Sequence, residues 1–577
     1  MNIYNDVHLI IISVANELGI IDKTILEKIT SEPPKDRKYG DISTNLALIG
    51  SKALKEKSLD LAKKITKELL NHKFISKIEI AGPGFVNLYL DDSIWHKCCI
   101  QALKDNNNYG KSKLGVNKKI NIEFVSANPT GPIHIGHTRG AVFGDSLANV
   151  LKFSGYNVTK EYYVNDAGEQ VSNLARSVYK RYLEILEGLK FEYDADLYPG
   201  EYLIPVAKKI INKYGKKFVG KDELDWINIF KKISTDHLIG NIKNDLSKLG
   251  IKHDIFIYEQ SLLNSGLIEK IVSILRKKNL IYEGELDPPK GKLKDTWKSR
   301  KQLLFKSTQF GDDVDRPLTK SDGSWTYFAT DSAYHYEKYK RKFFTIINVW
   351  GADHGGYIKR IKGIIDVLSG NKVDFQVKLC QLVNVTKDGV KVKMSKREGN
   401  FISLSSVIDS VGPDVIRFIM LTRKNDASLD FDIKKVTKQS NENPVYYVQY
   451  AHARIRSLHK KAIMEGFKKI NFIKEADFSL LTDSCEINMM RLVATWPRII
   501  ELAAKSYEPH RITFFLSEIA SEFHHLWSLG NSKPELRYII PGNKKLTVAR
   551  LSLAESVRIV ISSGLLLIGV KPLEMLK

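Results

Sequence analysis

Apolar positions along this chain change their period twice, which divides it into three stretches. In the first, Leu46, Leu48, Leu54, Leu61, Ile65 and Leu69 recur at helical spacing behind Asp41, a residue suited to cap a long helix. Ile78 to Ala81 and Phe85 to Leu90 then alternate apolar and polar around Gly82-Pro83-Gly84, which predicts a hairpin. Residues 1–112 therefore read as an α+β N-terminal domain, closed by a polar linker from Asp105 to Leu114. From residue 113 to 435, strand candidates at Ile120–Val125, Asn157–Tyr163, Phe344–Trp350 and Phe375–Leu382 alternate with helical patterns. That alternation predicts a doubly wound parallel α/β sheet of Rossmann-like type, with a mainly helical stretch of about 195–251 inserted into it. Residues 436–577 keep helical spacing, in Tyr446–Leu458, Met490–Ala504, Ile512–Leu529 and Leu551–Leu567, and predict an all-α C-terminal domain.

With 43% hydrophobic and 27% charged residues, the 577-residue chain has the composition of a folded protein and the length for several cores. Its formal net charge is +23. Such an excess fits a polyanionic partner, since each phosphate neutralised releases counterions; a lysine-biased proteome would give the same number. Cys98, Cys99, Cys380 and Cys485 form no CxxC pair and have no histidine at zinc-ligand spacing. Neither a protein-bound zinc nor a disulfide framework is expected, and a cytoplasmic location fits. The apolar run Leu9 to Ile12 follows Asn5 and Asp6 where a signal peptide would have basic residues, and no run approaches the length of a membrane span.

Two segments carry chemistry. Ile122-Glu-Phe-Val-Ser-Ala-Asn-Pro-Thr-Gly-Pro-Ile-His-Ile-Gly-His137 runs from an apolar strand through turn formers into a helix that begins near His134. The unpaired N–H groups and positive dipole end of such a helix start attract phosphate. His134 and His137 share one helical face, so both imidazoles can donate to one triphosphate, and Gly136 lets a ligand approach the backbone. Lys393-Met-Ser-Lys-Arg-Glu-Gly-Asn400 sets Lys393, Lys396 and Arg397 on a loop between Gly389 and Gly399. Cations on a hinged loop can close on a phosphate that gains charge and leave with the product. Alone, paired histidines near a helix start are more often surface or core residues, and a KxxKR run is more often a solvated face. Found together and in this order, they read as two halves of a nucleotide-activating site.

Both segments match the paired motifs of the class I aminoacyl-tRNA synthetases, as His134-Ile-Gly-His137 and Lys393-Met-Ser-Lys396. Glu123 to Pro132, Tyr163 to Gln170, Trp325 to Asp331, Trp350 to His354 and Asn443 to Arg454 extend the likeness, and the whole chain most resembles the arginyl-tRNA synthetases in their bacterial form. The resemblance implies ATP-dependent ligation of L-arginine to the 3′-terminal adenosine of tRNA(Arg) through an arginyl-adenylate. It further implies attack by the 2′-hydroxyl, tRNA bound before activation, Mg²⁺ arriving with ATP, and a monomer. The C-terminal third would bind the anticodon. The N-terminal domain would contact the outer corner of the tRNA, although by sequence alone it could equally be a bare packing module. His134, His137, Lys393 and Lys396 would be catalytic. Thr130, Gly131, Pro132, Gly136, Asp353, His354, Met394, Ser395 and Arg397 would complete the ATP site.

Arginine is a planar cation with five donors, so its pocket should offer carboxylates that accept a fork of hydrogen bonds. By the family's pattern Tyr327, Asp331 and Glu259 face the guanidinium, while Glu123, Ser126, Asn128 and His137 line the amino-acid end. Each acid alone would pass for a surface salt-bridge partner. One position departs from the pattern: after Asp353-His354 the family commonly has a second histidine, and this chain has Gly355. Missing zinc-ligand cysteines argue against a cysteinyl enzyme, and an acidic pocket argues against a glutamyl one. Small nucleotidyltransferases share the HxGH turn but not a basic helical third, and an RNA-binding protein without catalysis would not need the histidines and lysines. In that third, Arg454, Arg456, Lys460, Lys461, Arg491, Arg498 and Arg511 offer cations for phosphates. Trp496, Tyr507, Phe514, Phe515 and Trp527 offer rings for stacking, most of them expected in the core.

Overall fold

The computed structural model describes residues 2–188, 190, 194, 196–286, 301–387, 390–391, 402–438, 443–467 and 470–575. Two units emerge from its contacts. One joins residues 1–112 to 440–567 and 571–577, and the other joins 113–439 to 568–570.

In the first unit β1 (Ser31–Glu32), β2 (Ile42–Thr44), β3 (Ile75–Ala81) and β4 (Phe85–Leu90) make an antiparallel sheet in the order β1-β2-β4-β3. The β3–β4 hairpin turns through Gly82 and Gly84 at φ +53° and +131°, conformations that side chains resist. Val86 and Leu88 point to one face of β4 and are buried, as are Leu46, Leu61, Ile65 and Leu69. The long helix expected behind Asp41 is instead two helices, Leu46–Leu54 and Ser58–Leu69, because Lys55 takes a left-handed φ of 54° between them. Asp41 caps neither. Its carboxylate accepts from Leu90 N at 2.9 Å and pairs with Arg491 Nε at 2.9 Å.

Arg491 lies on the helix Ser484–Ser506, which shares this unit with the helices Pro444–Met464, His510–Ser532 and Lys544–Leu567. Tyr109 stitches the two chain segments together, donating its hydroxyl to Val493 O and accepting at its carbonyl from Trp496 Nε1, both at 3.1 Å. Trp496 and Phe515 are buried, whereas Phe514 is half exposed. Several of the cations are engaged within the protein: Arg456 pairs with Glu574 at 2.6 Å, Arg511 with Glu508 at 2.6 Å, and Arg498 approaches Glu32 at 3.7 Å. Arg454 stacks on the Tyr450 and Trp527 rings.

The second unit is built on β5 (Lys119–Glu123), β6 (Asn157–Val164) and β7 (Ile255–Tyr258). A small antiparallel sheet of β8 (Ile281–Gly284), β9 (Gln302–Phe305) and β10 (Arg316–Pro317) follows them in the chain. Next, β11 (Thr345–Gly351) and β12 (Asp374–Cys380) complete a five-stranded parallel sheet ordered β12-β11-β5-β6-β7. A last sheet holds β13 (Val383–Lys387), β14 (Val390–Lys391) and β15 (Leu429–Asp432). The strand order reverses between β5 and β11, so their carboxyl ends bracket the crevice where such sheets bind ligands. The helix Ile135–Phe153 lies close on β5, since a Cβ on Gly144 would come within 2.3 Å of Phe124 Cγ. Its buried Asp145 meets Lys160 Nζ at 3.0 Å and Arg417 Nη2 at 2.6 Å, and Arg417 also donates to the carbonyls of Leu249 and Ile568. Between β6 and β7 the helices Glu169–Glu187, Ile204–Tyr214 and Glu223–Lys248 enclose their own core around Tyr182 and Phe230.

Candidate active site

Beyond β5 the backbone is strained. Val125 and Ser126 take φ of +71° and +40°, which a β-branched residue in particular adopts at a cost of about 1–3 kcal/mol. The turn that follows is held by two tyrosines: Tyr162 donates to Ala127 O at 2.7 Å and Tyr202 to Thr130 O at 2.8 Å. Thr130 and Gly131 are buried there, with Pro132 half-buried. Asn128 Nδ2 donates to Gln170 Oε1 at 2.8 Å.

The helix then starts at His134 with the reciprocal geometry of a capping box. His134 Nδ1 accepts from Gly136 N at 3.1 Å, and His137 Nδ1 accepts from His134 N at 3.3 Å. A neutral imidazole that accepts at Nδ1 carries its proton on Nε2, so the caps set the tautomer of both rings and make Nε2 the donor. The rings lie 3.9 Å apart, which lets both address one anion. Gly136 has a nearer reason than ligand approach, because a Cβ there would stand 2.9 Å from the His134 ring that caps it.

Lys393, Met394, Ser395, Lys396 and Arg397 lie outside the described residues. The flanks of their segment are described, and both meet the same helix. After the segment, Ser403 bridges to His134, Leu404 N donates to Ile133 O at 2.9 Å, and Ile135 N donates to Ile402 O at 3.4 Å. Before it, the buried Arg139 donates to Gln381 O at 3.2 Å, and the same guanidinium holds Ala427 O at 2.6 Å and Lys424 O at 2.8 Å. At the carboxyl end of β11, Asp353 and His354 are exposed and 3.5 Å apart. A Cβ on Gly355 would touch only Leu379 Cδ1, at 3.4 Å, so packing does not demand the glycine that replaces the family's second histidine.

The acids gather on the other side of β5. Glu123 and Asn348 are cross-strand neighbours on β5 and β11, and the wholly buried Lys338 reaches both, at 2.9 and 3.3 Å. Ser126 Oγ donates to the second Glu123 oxygen at 3.0 Å and accepts from Tyr163 N at 3.1 Å. Asp331 sits one turn into the helix Tyr327–Lys340, two turns before Lys338, and accepts from Tyr357 OH at 2.8 Å. Burial pushes the Asp331 carboxyl up to about 7; the Tyr357 hydrogen bond opposes the shift and the charges of Glu123 and Glu259 add to it. Burial likewise raises Glu259 to about 7, with Asp166 adding to the shift and a hydrogen bond from Tyr163 opposing it. With its amide nitrogen facing the carboxylate, Asn165 donates to Glu259 at 2.8 Å. Tyr327 is half exposed, and the Glu259 charge is felt at its hydroxyl. Among the described residues neither Asp331 nor Glu259 has an ion-pair partner, so a half-buried and a buried carboxylate stand beside a third that is already neutralised.

Sequence reasoning missed Lys338, Tyr163, Tyr357, Asn348 and His335. His335 is pushed by burial down to about 3 and is neutral, donating to Asp331 O at 2.8 Å and meeting Asn348 Nδ2 at 2.8 Å. Lys338 had a signal: it follows Asp331 by seven residues, on the same helical face. Tyr357 had none, because its partner is 26 positions away.

Comparison with known proteins covers nearly the whole chain. Residues 8–90 match the family described as "Arginyl tRNA synthetase N terminal domain", 99–458 match "tRNA synthetases class I (R), catalytic domain", and 448–576 match "DALR anticodon binding domain". The arginine--tRNA ligase of Ruegeria pomeroyi is 51% identical over 544 residues, 94% of each chain. That of the Wolbachia of Brugia malayi is 46% identical over 577 residues, the full length of both. Among solved structures, the arginyl-tRNA synthetase of Thermus thermophilus shares the fold with a TM-score of 0.72 at 16% identity, covering 99% of this chain and 100% of its own.

Proposed function

The chain belongs to the arginyl-tRNA synthetase family of class I aminoacyl-tRNA synthetases, and from that premise we propose how its residues divide the work of charging tRNA(Arg) with arginine through an adenylate. The arginine carboxylate attacks the α-phosphate of ATP, which arrives as its Mg²⁺ complex, and pyrophosphate leaves. The 2′-hydroxyl of the terminal adenosine then attacks the adenylate carbonyl and releases AMP. No protein nucleophile is needed, because positioning and charge stabilisation carry phosphoryl-type transfer.

His134 and His137 donate from Nε2 to the triphosphate at the helix start, where backbone N–H groups and the dipole add to the attraction. Lys396, assisted by Lys393, closes from the other side, and Met394, Ser395 and Arg397 complete the ATP site. Thr130, Gly131, Pro132 and Gly136 form the phosphate turn, and Asp353 and His354 take the ribose or adenine. Asp331, Glu259 and Tyr327 receive the guanidinium; Glu123, Ser126, Asn128 and His137 receive the amino-acid end. Transfer RNA binds first, its outer corner to residues 1–112 and its anticodon to 436–577. A single chain is the working unit, in the cytoplasm.

One observation carries the choice of amino acid. Among the described residues the half-buried Asp331 and the buried Glu259 have no ion-pair partner, and their carboxyls are raised to about 7 beside a Glu123 whose charge Lys338 has met. A substrate cation completes such a site, and a neutral or acidic amino acid does not. ATP–pyrophosphate exchange measured with each amino acid, with and without total tRNA, tests the reading. Exchange with arginine alone and only when tRNA is present supports it; exchange with another amino acid overturns the pocket, and exchange without tRNA overturns the binding order.

A further inference from the structure

Tyr357 closes the short turn Ala352–Tyr357 at the carboxyl end of β11 and opens the helix Ile358–Ser369. Its hydroxyl donates to Asp331 Oδ2 at 2.8 Å, and among the described residues Oδ1 accepts no side-chain hydrogen bond. The phenol is itself held in place. The Arg360 guanidinium lies 5.1 Å from the ring centroid, and the Trp350 ring lies 6.0 Å away. Arg360 Nε is 3.4 Å from Asp312 Oδ2, an oxygen that Arg316 Nε approaches at 2.7 Å. The Asp312 side chain is 4% exposed, so this support is a built one. A chain of contacts thus runs from Asp312 through Arg360 to Tyr357 and ends on one oxygen of the acid assigned to the substrate.

We propose that Tyr357 is a positioning residue for amino-acid selection: by donating to Oδ2 it fixes the Asp331 carboxylate so that Oδ1 alone is presented to the arginine guanidinium. The inference rests on the assignment of Asp331 to the arginine pocket. A carboxylate free to rotate would lose part of its hydrogen-bond energy to ordering on binding, and a carboxylate without the donor would be harder to ionise. The groups that set its ionisation are Glu123 from β5, Tyr163 from β6, Glu259 from the segment after β7, Lys338 on its own helix, and Tyr357 with Arg316 and Arg360 behind it.

The test is steady-state charging of tRNA(Arg) by the full chain and by Tyr357→Phe and Asp331→Ala. Tyr357→Phe keeps the ring and its packing. It should raise the KM for arginine about tenfold, the scale of one hydrogen bond to a charged group, with far less change in kcat and none in the KM for ATP. The acid limb of kcat/KM for arginine should move to higher pH, because the variant lacks a donor that favours the charged carboxylate. Unchanged KM and acid limb in Tyr357→Phe, with Asp331→Ala raising the KM for arginine, overturn this inference alone. Unchanged arginine KM in Asp331→Ala overturns the pocket assignment and the inference with it. A fall in kcat alongside equal rises in both KM values marks a merely structural tyrosine and also overturns the inference.

Discussion

Lys338 reaches Glu123 and Asn348 across two neighbouring strands, and its side chain has no exposed surface, so its ammonium depends on protein partners rather than water. Removing one partner of a buried pair leaves the other charge stranded, which costs about 3–5 kcal/mol. Lys338→Met should show a loss of that size in urea unfolding, and Glu123→Gln with Lys338→Met should recover part of it; additive losses in the double variant would mean that the two are not coupled. Asp331 and Glu259 behave differently because their carboxyls are raised to about 7. Their folded-state pKa exceeds the unfolded one, so the free protein's stability from these groups is full below about pH 4 and lost as pH rises through about 7. In the proposed pocket arginine supplies a cation to both. Its protection against thermal unfolding should therefore be larger at about pH 8 than at about pH 5.5, and citrulline, a neutral isostere, should give little at either pH. Equal protection by both ligands would count against a charge-reading pocket.

On the proposed reading, fold and chemistry use the same side chains at the start of the helix Ile135–Phe153. His134 caps with Nδ1, a task asparagine performs equally well, whereas only imidazole also offers the Nε2 donor. His134→Asn should keep the melting temperature and lose arginine activation, while His134→Ala should lose activation and about 1 kcal/mol of stability; matching stabilities of the two variants would dismiss the cap. The four longer parallel strands were legible because each sets apolar residues at strand spacing between helical patterns. The fifth, Ile255–Tyr258, is a half-buried edge strand whose four apolar residues are too few to separate it by periodicity from the helical stretch before it. The break at Lys55 was not legible, since the apolar spacing of Leu46 to Leu69 continues across it. Within the site, residues inside local motifs could be named, as could the acids that the family's pattern supplied. The partners that neutralise or orient those acids come from distant positions: Lys338 is 215 residues from Glu123. Pairings of that kind exist only once the sheet has brought β5, β11 and the intervening helix together.

At the scale of the whole molecule, the first 112 residues and the last helices share one unit, with Tyr109 donating to Val493 O and accepting from Trp496 Nε1 inside it. The helical third expressed from residue 436 alone would expose that buried tryptophan. It should melt at lower temperature than the intact chain and regain stability when residues 1–112 are supplied; an unchanged melting temperature would separate the two segments. The family's reaction asks the molecule to hold a polyanion and to choose one amino acid, and the +23 net charge serves the first need without touching the second. In the proposed pocket selection rests on Asp331 and Glu259, and the most direct test is the KM for arginine in charging of tRNA(Arg) by Asp331→Asn. An amide cannot take a charged hydrogen bond, so that KM should rise by about a hundredfold while the KM for ATP stays put. An arginine KM equal to that of the unaltered chain would contradict the account.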